Sequence, residues 1–139
     1  MPSTQLVLET PKVTITWDDH LKCAVLQWKG AFMSGEEYRS ILMRVLDVLE
    51  ERRSSRLLSD MRNMPVMSPD DQKWVQEVWM PRSLAIGMRY SAVVLPKSAI
   101  AKLTLRHIAE DAGNIPRIRA YFETVEEART WLNKASDVH

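Results

Sequence analysis

The chain has 139 residues, with 19 Lys plus Arg against 18 Asp plus Glu and one cysteine. This length is typical of a single domain whose core needs neither disulfides nor metal, and a lone cysteine excludes an internal disulfide. Because the charges nearly cancel, no overall field favours nucleic acid or an acidic membrane. The sequence contains no apolar run long enough to span a bilayer and no secretion signal at its start, so we expect one cytoplasmic domain.

Two strands and a helix are predicted in the first third of the chain. Residues 12–17 alternate polar and apolar side chains, and residues 23–28 form a second apolar segment after a polar turn, as in an antiparallel hairpin. Ser34 and Glu37 form a capping box ahead of a helix that we expect to end near Ser54. Its apolar side chains follow helical three-and-four spacing. They are Tyr38, Ile41, Leu42, Val45, Leu46 and Leu49.

Three more strands, each followed by a helix, are predicted in the remainder. The first strand runs from Arg56 to about Met61, and the next helix begins with Ser68 as N-cap, Pro69 at the first helical position and Asp71 closing a capping box. Pro81 is expected to kink or end this helix before Gly87. The other predicted elements are strands at 91–95 and 119–122, a helix at 98–111 and a helix that follows the capping box of residues 124–127.

The predicted elements follow the order ββαβαβαβα. Helices between consecutive strands imply right-handed crossovers and parallel pairing. We therefore predict an α/β domain with a mostly parallel five-stranded sheet, an N-terminal antiparallel hairpin and four helices. The whole chain, 1–139, is interpreted as a single domain with its core at about 12–135.

Three segments, together with this element order, carry a family resemblance. They are residues 57–62 (Leu-Leu-Ser-Asp-Met-Arg), residues 68–71 (Ser-Pro-Asp-Asp) and the aromatic strand end and capped helix of residues 121–132. From Val13 to Leu132 the chain resembles the SpoIIAA-like superfamily of STAS and lipid-binding Sec14-type domains, and within it small stand-alone bacterial members of unknown function. The resemblance implies a non-catalytic regulatory or protein-interaction module. The Sec14-type branch implies the alternative, a binder of a small apolar ligand or lipid.

Ser68 lies where this superfamily can carry a regulatory phosphorylation site. Its anti-sigma-factor antagonists have a phosphorylatable serine within an Asp-Ser-Ser-Gly motif at the start of the second helix. Counting without a gap from Asp60 places Ser68 on the motif's Asp and Asp70 on its phosphorylated serine. A phosphate on Ser68 would also meet the charges of Asp70 and Asp71. We therefore interpret Ser68 as an N-cap.

Tryptophan and methionine side chains around the second helix form the candidate partner or ligand surface. Trp74 and Trp79 are about 140° apart on a helical wheel, so both cannot point into the same core. Either these side chains are core residues with one at its edge, or they form a homodimer patch or ligand pocket. The candidate surface consists of Met61, Met64, Met67, Ser68, Asp70, Asp71, Trp74 and Trp79.

The sequence offers no residue set typical of catalysis, metal binding or cofactor binding. Asp18, Asp19 and His20 lie in one hairpin turn without a second pair of ligands. Cys23 and His107 lack the flanking signature of a nucleophilic pair, and no glycine-rich phosphate loop occurs. We therefore predict no enzymatic activity, no cofactor, no metal and no nucleic-acid partner. The expected partner is another protein or a second copy of the chain, with a small apolar molecule as the alternative.

Overall fold

The computed structural model describes residues 4–30, 33, 35–64, 67–98, 100, 102–103, 106 and 118–135. The strands are β1 (Thr4–Glu9), β2 (Val13–Asp18), β3 (Cys23–Trp28), β4 (Arg56–Asp60), β5 (Tyr90–Val94) and β6 (Ile118–Phe122). The helices are α1 (Gly35–Glu51), α2 (Pro69–Trp74), α3 (Met80–Ala85) and α4 (Val125–Ala135). A π-helical turn (Val75–Trp79) joins α2 to α3 without a break, and we call the whole the α2–α3 helix.

The strands form one six-stranded mixed sheet in the order β1-β2-β3-β4-β5-β6. The first three strands pair antiparallel, and β3 to β6 pair parallel. This arrangement confirms the α/β class, the N-terminal antiparallel hairpin and the parallel remainder of the sheet. The order of parallel strands along the sheet follows their order along the chain, so each crossover connects direct neighbours.

The sheet has one strand more than the five predicted. β1 lies in the segment that the sequence pattern left as a polar lead, so the sheet extends beyond the predicted core of 12–135. Its side chains are mostly exposed, and it contributes Val7 and Leu8 to the edge of the core. A short edge strand of this kind shows little apolar alternation, because only part of it packs against other side chains.

Part of the predicted helical structure lies outside the described residues. This applies to Ser34 of the first capping box and to most of the predicted helix at 98–111. Within that segment the described residues Ile100, Lys102, Leu103 and Arg106 are helical. The described residues thus contain three continuous helices, α1, the α2–α3 helix and α4. The count of four helices and the SpoIIAA-like order stay predictions. Within the described ranges the helices are too short or too polar for a membrane crossing.

Strand alternation divides the buried side chains between two faces of the sheet. We call the face that carries Leu26 and Leu57 the front face, and it packs against α1 and the α2–α3 helix in the larger core cluster. The back face carries Cys23 and Leu58 and packs against α4 in the smaller cluster. The helices thus cover both faces of the parallel strands, as expected for a buried parallel sheet.

The π-helical turn has a local cause in Pro81. Proline has no N–H for the carbonyl of Glu77, and its ring would collide with that carbonyl in a regular α-helix. The helical turn is instead wider, and the amide of Met80 donates to the carbonyl of Val75, five residues back. Of the two predicted effects of Pro81, a kink or an end, the helix does not end there but widens and continues to Ala85.

Gly87 ends the α2–α3 helix as predicted. Its φ of 102° lies in the region that favours glycine. The amide of Gly87 donates to the Leu84 carbonyl at 3.0 Å, and the amide of Met88 donates to the Ser83 carbonyl at 2.9 Å. These two hydrogen bonds satisfy carbonyl groups that the last helical turn leaves open.

Candidate functional site

A cavity of about 60 Å³ lies between the front face of the sheet and the helices above it. Its floor contains two rows of side chains that run across neighbouring strands. Ser59 lies between Leu26 and Val93 in one row, and Ser91 lies between Leu57 and Arg119 in the other. Both serines are buried. Because serine is small, these two central positions of the floor leave space that larger side chains would fill.

Aromatic side chains from three elements close the cavity. Trp28 of β3 stacks on Tyr38 of α1 with ring centroids 5.5 Å apart and an angle of 14° between the planes. The Tyr38 hydroxyl donates to Met67 Sδ at 3.6 Å, and the Trp79 indole Nε1–H donates to the Leu42 carbonyl at 2.8 Å. These contacts fix the orientation of the three rings around the cavity.

The π-helical turn places an unusual set of side chains along the cavity. Val75, Trp79 and Met80 all line it. The wider turn changes the angular spacing of the side chains, so it alters which of them face the sheet. Turns of this kind occur frequently at functional sites.

Two buried donors of the cavity lining lack a hydrogen-bond partner in the described part of the chain. One is the indole Nε1–H of Trp28, whose side chain is 1% exposed. The other is Nε–H of Arg119. An Nη nitrogen of Arg119 donates to the Tyr121 hydroxyl at 3.5 Å, a long hydrogen bond. Buried polar groups are normally paired, so these donors indicate a place for an acceptor that the described residues do not supply.

Arg119 is the one charged side chain among the described residues that line the cavity. Tyr38 cannot balance it, because burial and the nearby Asp71 charge hold the pKa of its hydroxyl well above the ordinary value. The cavity is therefore apolar over most of its surface and positive at the β6 side. Tyr121, which is partly exposed, lines the same side and connects it to solvent.

The predicted partner or ligand surface is divided by the structure. Met61, Met67 and Trp79 line the cavity, and Met64 is buried in the same core cluster. Trp74 is half-buried, and the Arg39 guanidinium lies 5.6 Å from the centre of its ring. The structure therefore brings the methionines and Trp79 together at the cavity and places Trp74 beside α1.

Ser68, Asp70 and Asp71 form the corner where α2 begins. The Ser68 hydroxyl accepts a hydrogen bond from the Asp71 amide at 3.2 Å, so Ser68 is the N-cap. The Asp71 carboxylate does not close the capping box within the described hydrogen bonds. It accepts instead from the Gly35 amide at 3.2 Å and from Arg39 Nε at 3.3 Å. This corner therefore ties α2 to α1, while Asp70 is exposed.

A second, more polar groove of about 320 Å³ lies on the back face beside the start of α4. Its arginines are already paired. Arg62 donates to both carboxylate oxygens of Asp60, at 2.9 and 2.8 Å, and these hydrogen bonds raise the pKa of Arg62. Arg129 donates to Asp18 at 2.6 Å. Because both of its arginines are paired within the chain, this groove gives a weaker indication of a ligand than the cavity does.

Cys23 and the hairpin turn have structural contacts. Cys23 is fully buried, and burial together with the Asp18 charge raises the pKa of its thiol to about 12. The thiol is therefore neutral near pH 7, while His107 lies outside the described residues. Asp18 accepts from the Leu21 amide at 2.9 Å. Within the described ranges no group of three or more His, Cys, Asp or Glu side chains could hold a metal ion.

The predicted surface did not include most residues of the cavity, among them Trp28, Ser59, Ser91 and Arg119. A signal was present in the predicted strands, since alternation in 119–122 puts Arg119 on the same face as Tyr121 and opposite to Ala120. An arginine on an inward face is unusual and marks a position that needs a partner. The serines gave no comparable signal, because small polar residues are common in strands next to loops.

Comparison of the chain with protein-family models, curated proteins and solved structures finds no match. The cavity and its lining therefore carry the functional proposal.

Proposed function

We propose that this protein is a non-catalytic binding module of the STAS-like, SpoIIAA-like type that holds a small, largely apolar ligand. The cavity under Trp28 and Trp79 carries this proposal. Native interiors contain few voids larger than a water molecule. A water needs roughly 10–15 Å³ by the same measure, so the cavity has room for about four to six waters. About four to six waters would need several polar partners each, and most of the lining is apolar. The lining therefore suits an apolar ligand better than water.

The volume supports a small molecule over a lipid. Pockets for drug-sized ligands typically measure about 300–1,000 Å³. A cavity of about 60 Å³ is well below that range and matches a ligand of only a few heavy atoms. Of the two functions that the family resemblance implies, the presence of the cavity favours ligand binding. Its small volume favours a smaller ligand than a Sec14-type lipid.

Titration with 1-butanol, a small neutral probe, tests the proposal. We expect saturable chemical-shift changes in NMR spectra at the cavity lining, including the indole signals of Trp28 and Trp79. Ser59→Leu fills the space above the floor, so it should remove these changes. Thr16→Leu is the matched control, because Thr16 is half-buried on the back face. Shifts that do not saturate, or that survive unchanged in Ser59→Leu, would contradict ligand binding in this cavity.

A protein-interaction module is the second candidate. It is favoured by Ile100 and Leu103, which are 62% and 58% exposed and three residues apart in helical structure. Side chains at this spacing lie on one side of a helix, and adjacent exposed apolar side chains are typical of contact surfaces. Analytical ultracentrifugation of the protein and of Leu103→Glu tests self-association through this side. The homodimer through the second helix stays a prediction, which Trp74→Ala tests in the same experiment.

A further inference from the structure

We propose that the ligand of the cavity is a small apolar carboxylate whose charged group pairs with the Arg119 guanidinium. This inference rests on the proposed function and adds the chemical class of the ligand. It starts from the contrast between Arg119 and the other arginines that face buried groups.

Three arginines in the described ranges each pair with a buried aspartate. They are Arg39 with Asp71, Arg62 with Asp60 and Arg129 with Asp18, and the aspartate side chains are 2%, 7% and 0% exposed. In each pair the guanidinium covers a carboxylate that would otherwise be buried without a countercharge. Each of these buried aspartates is thus covered by an arginine, while the buried Arg56 donates to the carbonyls of Leu21 and Leu132.

Arg119 has neither a carboxylate nor a backbone carbonyl as a partner within the described residues. Nε of its guanidinium is buried without a partner, and none of the ion pairs among the described residues includes Arg119. Its long contact with the Tyr121 hydroxyl uses one of five N–H donors. A guanidinium presents its donors in a planar fork that matches the two oxygens of a carboxylate. The missing partner therefore has the chemistry of a carboxylate.

The rest of the lining determines the body of the ligand. Beyond Arg119 the described residues of the lining are uncharged and mostly apolar, such as Leu26, Leu42 and Val93. Its volume holds about four to six waters, which is close to the six heavy atoms of butyrate. Since Arg119 and Tyr121 lie at the partly exposed side, the carboxylate would remain near solvent while the alkyl chain points inward.

The test compares butyrate with butyramide, its neutral analogue of nearly equal size. NMR titration of the full chain should show that butyrate binds at least about tenfold more tightly than butyramide, as expected for a charge-assisted bidentate contact. Arg119→Gln should remove this preference while leaving weak binding of both probes. Arg119→Lys keeps the charge and should retain part of the preference. Arg82→Gln removes one exposed positive charge of α3 and is the matched control, with the preference unchanged.

The outcomes separate this inference from the proposed function. Equal or tighter binding of butyramide overturns the carboxylate assignment and leaves ligand binding in place. A preference for butyrate that persists in Arg119→Gln overturns the role of Arg119. If 1-butanol, butyramide and butyrate all fail to bind, the proposed function fails, and the carboxylate assignment fails with it. Circular dichroism of each variant shows whether the fold is retained.

Discussion

At the scale of single residues, buried carboxylates hold separate parts of the chain together. Asp71 is 1% exposed and lies under Arg39, and both of its oxygens accept from the Gly35 amide. This side chain therefore positions the start of α1 against the start of α2. Burial of such a carboxylate is tolerated because hydrogen bonds and a countercharge replace its hydration.

Asp71→Ala is expected to lower the free energy of unfolding by roughly 2–3 kcal/mol, because the Gly35 amide loses its acceptor and Arg39 loses its partner. Asp70→Ala is the matched control. Asp70 is exposed in the same helical turn, so its loss should cost less than about 1 kcal/mol, the usual size of a charge effect at a helix start. Urea-induced unfolding measures both values. Equal losses would show that the carboxylate of Asp71 does not join the two helices.

At the scale of elements, the sequence predicted the starts of α2 and α4 because the signals there are local. Ser68 caps α2, and the Thr124 hydroxyl accepts from the Glu127 amide at 3.2 Å at the start of α4. Each of these hydrogen bonds spans three residues, so a short sequence motif contains both partners. At the π-helical turn the sequence predicted only that Pro81 kinks or ends the helix. Its form also involves the packing of Trp79 against Leu42 of α1, which no local motif contains.

Two helix ends with positive φ should respond in opposite directions to substitution. Gly87 has φ of 102°, and a Cβ there meets no atom within 4 Å, so Gly87→Ala tests the backbone alone. We expect a loss of roughly 1–2 kcal/mol. Arg53 has φ of 53° and an exposed side chain at the end of α1, so Arg53→Gly should relieve strain and stabilise the protein by roughly 0.5–1 kcal/mol. Thermal unfolding of both variants measures the signs, and a common sign would contradict this account.

At the scale of the whole molecule, the cavity explains why the candidate site was only partly predictable. The sequence identified Met61, Met67 and Trp79 as a surface around one helix. The cavity also needs Ser59 and Ser91 from two strands and Tyr38 from α1. Whether such side chains fill the space between them depends on volumes summed over distant segments, which apolar patterns do not report. Arg119 could be placed on the front face only once the pairing of β5 with β6 was known.

The same long-range character appears in the contacts that join the two ends of the fold. Arg129 of α4 pairs with Asp18 at the end of β2, 111 residues away along the chain. The Arg56 guanidinium donates to the carbonyls of Leu21 and Leu132. These contacts connect the N-terminal hairpin, β4 and α4, so we expect the two ends of the chain to unfold together.

Arg129→Met tests this coupling. Removal of the guanidinium leaves the fully buried Asp18 carboxylate without its countercharge, so we expect a loss of about 2–4 kcal/mol and faster amide hydrogen exchange in both β2 and α4. The double variant Asp18→Asn with Arg129→Met removes both charges and should recover part of the loss. Arg62→Met is the control, because Arg62 pairs with Asp60 only two residues away. In Arg62→Met, faster amide hydrogen exchange should be confined to the end of β4. If exchange in Arg129→Met is faster only in α4, the two ends are not coupled.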